Sequence, residues 1–136
     1  MIFARNEFEK DNDNYVIENI PTAVFSSPEI GTVGLNEDQA LEKYKKIDIY
    51  TSSFRPLYYT LSDINIRTFI KLIISNKSQK LVGFHMVGDD AAEITQIIST
   101  LINKKIKKAD LDNTMPLHPS TAEEIMTMRD MVTKEI

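Results

Sequence analysis

Histidine is the residue type through which this sequence could move protons near neutral pH. The chain has 136 residues, with two histidines and no cysteine. His118 lies directly before Pro119, and Glu123 follows five residues after the histidine. An imidazole gains and loses a proton near neutral pH, and a carboxylate can hold it in one tautomer and stabilise its charged form. His118 and Glu123 are therefore candidates for an acid–base pair.

The same residues also have a purely structural interpretation. Ser120 followed three residues later by Glu123 is the spacing of a capping box, which begins a helix without any catalytic role. A histidine before a proline is often a loop residue that makes one backbone hydrogen bond. His85 lies in a predicted strand, and we interpret it as a partly buried structural histidine. The spacing alone leaves both interpretations of His118 open.

The composition argues against several other kinds of chemistry. Without cysteine, the side chains of this chain cannot form a disulfide, a Cys-based zinc site or a reactive thiol, and two histidines do not suggest a His-rich metal centre. The net charge of −4 argues against nucleic-acid binding. No apolar stretch approaches the roughly 18 residues of a membrane helix, and the charged start does not resemble a signal peptide. We therefore expect a cytoplasmic protein without metal, nucleic-acid or membrane partners.

Two glycine-rich fingerprints of nucleotide-binding proteins are absent from this sequence. Its four glycines are Gly31, Gly34, Gly83 and Gly88. They form neither a G-x-G-x-x-G sequence nor a G-x-x-x-x-G-K-[ST] sequence. The sequence therefore carries no recognisable nucleotide-binding fingerprint of its own.

The hydrophobic pattern predicts the elements that would position His118. Apolar alternation or short apolar runs predict strands at residues 22–26, 30–35, 47–51, 66–74 and 81–87. Three helices are predicted to follow capping-box spacings that begin at Asn36, Asp90 and Ser120. The second helix carries apolar residues at the i, i+3 and i+4 spacing of a buried stripe. This order predicts an α+β domain with an antiparallel sheet of about four to five strands and helices packed against it.

Two polar segments receive simpler interpretations. Residues 1–19 read as a polar arm and as the cut end of a longer chain, because nothing in them begins a core. We interpret the lysines at 104, 105, 107 and 108 as a solvated helix end, where the helix dipole favours positive charge, rather than as a basic patch. Residues 109–114 follow as a connector.

Several segments of the sequence resemble one enzyme family. The longest spans residues 112–124 and reads DNTMPLHPSTAEE, with Met128 and Arg129 after it. Others lie at residues 20–35, 53–57 and 81–91. Together, and in this order, they resemble the C-terminal dimerisation domain of the FAD-dependent pyridine nucleotide–disulfide oxidoreductases, above all its glutathione reductase branch. The resemblance covers about residues 20–129.

The resemblance implies a role for this domain and for four of its residues. Residues 20–136 would be the dimerisation domain, which forms the homodimer contact and sends His118 to the active site of the partner subunit. His118 would be the general acid/base in the opening of glutathione disulfide, Glu123 would orient its imidazole, and Leu57 and Glu124 would contact glutathione. The family's His-Pro bond is typically cis.

The parts that carry the redox chemistry would lie elsewhere in the complete enzyme. FAD, NADPH and a redox-active cysteine pair belong to upstream domains in this family, and residues 1–19 would be the end of the upstream FAD domain. The resemblance therefore implies that this chain binds neither cofactor and reduces nothing on its own.

The resemblance leaves the substrate open. Pro116 stands where dihydrolipoamide dehydrogenases usually have a second histidine, which speaks against that enzyme. Trypanothione reductases share the His-Pro-x-x-x-Glu-Glu pattern, and a mercuric reductase is a further alternative. A freestanding, non-catalytic assembly module is the alternative from another class. Tyr58, Leu101 and Met126 are candidates for positions near the dimer contact.

Overall fold

A six-stranded antiparallel sheet forms the centre of the chain. The computed structural model describes residues 2–9 and 18–136. The strands are β1 (Thr22–Val24), β2 (Ile30–Gly34), β3 (Lys46–Phe54), β4 (Thr68–Ser75), β5 (Leu81–Val87) and β6 (Met131–Glu135). They pair in the order β1-β2-β5-β4-β3-β6, every pair antiparallel. The α+β class is confirmed, and the sheet has one strand more than the sequence predicts.

The described residues form the helices α1 (Ile2–Phe8), α2 (Glu37–Tyr44), α3 (Ala91–Asn103), α4 (Lys108–Asp112) and α5 (Glu123–Thr127), with a short 3₁₀ helix at Leu57–Tyr59. Helices α2 to α5 pack on the faces of the sheet. On one face, α3, α4 and α5 contribute to a large core with side chains of β2, β3, β4 and β5. On the other face, α2 covers a smaller core built on Ile47, Ile49, Ile73 and Val82.

Strand β4 follows its period-two pattern, and a register shift interrupts its pairing with β5 between Ile73 and Ile74. Ile70, Leu72 and Ile74 enter the large core, whereas Ile73 enters the small one. Each of these four side chains is fully buried, which stabilises the fold by roughly 1.5–3 kcal/mol per side chain. This predicted strand pair and its polar turn are confirmed.

A capping box begins α2 as predicted, and ion pairs hold its first turn to the sheet. The side chain of Asn36 accepts the backbone N–H of Gln39 at 2.9 Å, and the reciprocal bond is also present. Glu37 accepts hydrogen bonds from Lys134 at 2.6 Å and from Lys71. These two ammonium groups lower the pKa of Glu37 below its ordinary value, Lys134 contributing most.

The start of α3 differs from the prediction. Asp90 has a left-handed backbone (φ 63°) and its side chain makes no cap hydrogen bond, so the predicted capping box is wrong. Glu29 accepts the backbone N–H of Ala92 at 3.2 Å and satisfies this helix end from another segment. Further along α3, a Cβ atom at Gly31 would lie 2.1 Å from Thr95 Oγ1, so glycine permits close packing of the helix on β2.

The C-terminal quarter contains elements that the sequence does not predict. Residues 109–114 were expected as a connector, but α4 occupies Lys108–Asp112. Strand β6 follows α5, and all of its residues are exposed. Because no buried face imposes an alternation on β6, its sequence carries no strand pattern. Pairing with β3 is what makes this segment a strand.

Two further expectations change at the ends of the chain. The polar arm begins with helix α1, which has no buried residue, and residues 10–17 of this arm lie outside the described residues. At the other end, α5 begins at Glu123 and not at Ser120. Ser120 Oγ accepts the N–H of Glu123 at 3.2 Å, which is one half of the predicted capping box.

Candidate functional site

A loop between α4 and α5, residues 113–122, carries His118. The peptide bond between His118 and Pro119 is cis, as the family resemblance implies. At the start of the loop, Thr114 Oγ1 donates to the carbonyl oxygen of Asp110 at 2.7 Å. At its end, Glu123 is the first residue of α5. The loop thus brings the two residues of the candidate acid–base pair to the same place.

The His118 imidazole is hydrogen-bonded to the Glu123 carboxylate. Nδ1 lies 2.9 Å from Oε2 and 3.2 Å from Oε1. Because a carboxylate only accepts hydrogen bonds, Nδ1 carries the hydrogen, and Nε2 is the ring nitrogen left to exchange a proton. The His118 side chain is 80% exposed and that of Glu123 is 19% exposed. The pair therefore combines a fixed tautomer with an accessible imidazole.

An open cavity of about 690 Å³ adjoins this pair. The segment after β3 forms one wall, and the His118 loop with the start of α5 forms the other. Its lining includes His118 and Glu123, and also Leu57 and Glu124, the two residues that the family resemblance indicates as substrate contacts. The fold therefore brings together residues that are more than 60 positions apart in the sequence.

Hydrogen bonds hold the wall that contains Leu57. Leu57 begins the 3₁₀ helix and is 65% exposed. Arg55 Nη2 donates to the carbonyl oxygen of Ser62 at 2.5 Å and closes this segment into a compact loop. Tyr59 Oη donates to Asp89 Oδ2 at 2.6 Å, and this bond raises the pKa of the Tyr59 hydroxyl. The wall is thus fastened both to itself and to the segment before α3.

Glu124 is tied to the sheet by a residue that the sequence did not indicate. Ser52 on β3 donates its hydroxyl to Glu124 Oε2 at 2.9 Å. A single serine in a strand carries no signal of such a role, because the contact crosses between elements 72 positions apart. Arg55 lies in one of the segments that resemble the family, but the sequence does not indicate its hydrogen bond to Ser62.

His85 lies outside this cavity and makes structural contacts. Its Nδ1 is 2.7 Å from Thr32 Oγ1, and its Nε2 donates to the carbonyl oxygen of Leu35 at 3.1 Å. Burial lowers the pKa of His85 below its ordinary value. The prediction of a partly buried structural histidine is confirmed.

The described residues, 2–9 and 18–136, also bear on metal binding and membrane insertion. These residues include no group of three or more His, Asp or Glu side chains that could hold a metal ion. None of the described helices is long and apolar enough to cross a membrane.

Comparison with known proteins places these features in context. The family model described as "Pyridine nucleotide-disulphide oxidoreductase, dimerisation domain" matches residues 20–129. Glutathione reductase (chloroplastic/mitochondrial) of Pisum sativum is 46% identical over 93% of this chain and 23% of its own length. Glutathione reductase of Burkholderia cepacia is 44% identical over 83% of this chain and 25% of its own length. The chain therefore spans about a quarter of the length of these relatives.

A solved structure has the same fold. The HOCl-induced flavoprotein disulfide reductase RclA from Escherichia coli superposes with a TM-score of 0.79 at 23% identity. The match covers 92% of this chain and 29% of that one.

Proposed function

This chain belongs to the pyridine nucleotide–disulphide oxidoreductases as a dimerisation domain, and we propose that the complete protein is a glutathione reductase that uses NADPH and FAD. Curated relatives with that name are 40–46% identical to this chain. The observation that carries the proposal is the His118–Glu123 hydrogen bond beside an open cavity. In this proposal the domain forms the homodimer interface and supplies that pair to the partner subunit.

Disulfide reduction needs a proton at the leaving sulfur, which His118 would provide. When an enzyme thiolate attacks glutathione disulfide, a new S–S bond forms, the old one breaks, and one glutathione leaves as a thiolate. Protonated His118 would donate its Nε2 proton to that thiolate and become neutral. It could then take the proton of the next enzyme thiol, which regenerates an attacking thiolate.

Glu123 and the cavity walls would orient this transfer. The Glu123 carboxylate accepts the Nδ1–H at 2.9 Å, so it favours the tautomer that uses Nε2 and stabilises the charged imidazole. Leu57 offers an apolar side chain to the cavity and Glu124 a carboxylate, which suits the α-ammonium group of a γ-glutamyl peptide. A trypanothione or mercuric reductase would use the same pair, and the substrate profile of the complete enzyme distinguishes these alternatives.

The residues of this chain do not fit a bound dinucleotide cofactor, since its four glycines form no phosphate-binding loop. We therefore assign FAD, NADPH and the redox cysteines to the remainder of the complete enzyme. It follows that residues 1–136 alone should not oxidise NADPH when glutathione disulfide is added, and turnover by this chain would contradict the assignment. A cytoplasmic location stays a prediction.

The proposal is tested by His118→Gln in the complete enzyme. General acid–base catalysis contributes about 10²–10⁴-fold to a rate, so reduction of glutathione disulfide should fall by about that factor. Reduction of the flavin by NADPH should remain unchanged, because that half-reaction does not use His118 in this proposal. Stopped-flow absorbance separates the two half-reactions. An equal loss in both would contradict the assigned role.

A further inference from the structure

Lys108 is buried, contrary to its interpretation as part of a solvated helix end. It is 3% exposed. Its Nζ donates to the Asp112 carboxylate and to the carbonyl oxygen of Met128, the latter at 2.9 Å. The same atom lies 4.6 Å from the centre of the Tyr50 ring, on β3. A buried ammonium group is costly unless partners of this kind surround it. Sequence spacing identified a lysine-rich helix end, but it did not reveal that one of these lysines turns inward.

Arg129 joins the same cluster from the other side of the His118 loop. Its Nη1 donates to Asp112 Oδ1 at 2.7 Å and to the carbonyl oxygens of Met126 and Met128 at 2.8 and 3.0 Å. Lys108 and Asp112 belong to α4, before the loop, whereas Arg129 follows α5, after the loop. We call Lys108, Asp112 and Arg129 the ionic clasp.

The loop closed by the ionic clasp is highly exposed near its centre. Met115 is 89% exposed and Leu117 is 77% exposed, and the His118 side chain is 80% exposed. These side chains bury little apolar surface that could hold the loop in place. The position of the loop is therefore set mainly at its two ends, where the ionic clasp lies.

We propose that the ionic clasp is the positioning device of the acid–base pair. By joining the end of α4 to the end of α5, it holds the two ends of the His118 loop together, so that His118 stays within hydrogen-bonding distance of Glu123. None of the three clasp residues lines the cavity, so they are positioning residues. The geometric part of this inference stands by itself, and its effect on turnover rests on the proposed function.

Nuclear magnetic resonance on the 136-residue chain tests the geometric part, because the chain has only two histidines. The test variants are Asp112→Asn and Arg129→Gln, which change the two more exposed members of the clasp. Lys104→Gln, at an exposed lysine, serves as the charge-matched control for Arg129→Gln. The measured quantity is the nuclear Overhauser effect between the His118 ring and the Glu123 side chain, with that between His85 and Thr32 as the internal reference.

If the ionic clasp positions the loop, both test variants should lose the His118–Glu123 nuclear Overhauser effect and keep the one between His85 and Thr32. The control should keep both. The retained reference signal shows that the sheet is still folded. A His118–Glu123 effect that persists in both test variants, or that is absent from the unaltered chain, would overturn the proposal.

Kinetics of the complete enzyme test the consequence for turnover. A displacement of about 1 Å at a reacting group can cost about 100-fold in rate, so Arg129→Gln should lower kcat for the disulfide by about 10- to 100-fold. Flavin reduction by NADPH should not change, and Arg129→Lys should recover part of the rate because it retains a charged donor. Loss of the His118–Glu123 nuclear Overhauser effect with an unaltered kcat would support the positioning of the loop by the ionic clasp. It would contradict the proposed role of His118 in turnover. If the nuclear Overhauser effect between His118 and Glu123 is unaltered in the variants, the proposed role of the ionic clasp is overturned, whatever the kinetic result.

Discussion

The contact between His118 and Glu123 depends on where α5 begins. Side chains that meet on one helix face are three or four residues apart, whereas these two are five apart. Because α5 begins at Glu123, the chain from Pro119 to Ala122 lies outside the helix and can turn back towards the carboxylate. The spacing identified both residues, but the contact depends on this local geometry.

Replacing Glu123 tests its orienting role. In the complete enzyme, Glu123→Gln should lower kcat for glutathione disulfide by about 10- to 100-fold, by analogy with the loss of a carboxylate that orients a metal-bound histidine. The amide can still accept the Nδ1–H, but it does not stabilise the charged imidazole. Steady-state kinetics measure the effect, with Glu42→Gln on the exposed side of α2 as the control. Equal kcat values in the two variants would contradict an orienting role.

His85 makes stability sensitive to mild acid. Its pKa in the folded chain is lowered by burial, below an ordinary value of about 6.5. The unfolded chain therefore takes up a proton more readily, and the free energy of unfolding should fall as the pH drops below about 6.5 and through the folded pKa. Urea unfolding at a series of pH values measures this.

His85→Gln is the matched variant for this test. Glutamine can also donate to the carbonyl oxygen of Leu35 and accept from Thr32 Oγ1, but it does not titrate. The loss of stability between about pH 7 and pH 5 should therefore be smaller in His85→Gln than in the unaltered chain. The same loss in both would show that His85 does not cause it.

At the scale of the elements, β6 is held by polar contacts that reach into the sheet. Asp48 on β3 is 1% exposed and accepts hydrogen bonds from Thr133 on β6 at 2.7 Å and from Asn76 in the β4–β5 turn at 2.9 Å. Tyr50, on the same strand, donates its hydroxyl to Met131 Sδ at 3.4 Å. One strand thus connects the C-terminal strand with the hairpin.

Asp48→Ala should destabilise the fold through these connections. It removes the buried carboxylate that accepts the hydrogen bonds of Thr133 and Asn76, and a hydrogen bond to a charged group contributes about 1.5–3 kcal/mol. Thermal or urea unfolding should show a lower free energy of unfolding, whereas the exposed Asp130→Ala should change it little. If the two variants are equally stable, the hydrogen bonds of Asp48 do not support β6.

An element can be predicted from the sequence when buried side chains stabilise it, and it is missed when contacts with distant segments do. The β4–β5 hairpin was predicted because its alternating residues enter two separate cores, so burial leaves a pattern in the sequence. Strand β6 was not predicted, because pairing with β3 stabilises it while its side chains are exposed. Asp90 failed as a cap because Glu29, from a distant segment, satisfies that end of α3. Tertiary contacts of this kind cannot be inferred from local spacing.

At the scale of the whole molecule, the cavity beside His118 is open to solvent. Its lining includes exposed apolar side chains, Leu57 and Tyr58 among them. Of the three candidates for the dimer contact, Tyr58 is 87% exposed, whereas Leu101 and Met126 are partly buried against the core of their own chain. Tyr58 is therefore the strongest of the three candidates.

Mixed dimers of the complete enzyme test the central claim, that His118 acts in the partner's active site. One subunit carries His118→Gln with intact redox cysteines, and the other carries intact His118 with its redox cysteines replaced by serine. Each homodimer should be nearly inactive. In the mixed dimer, His118 of the second subunit meets the cysteines of the first, so one of the two sites should be complete. Reduction of glutathione disulfide should therefore return at about half the unaltered rate per mixed dimer. Mixed dimers as inactive as the two homodimers would contradict a role of His118 in the partner's active site.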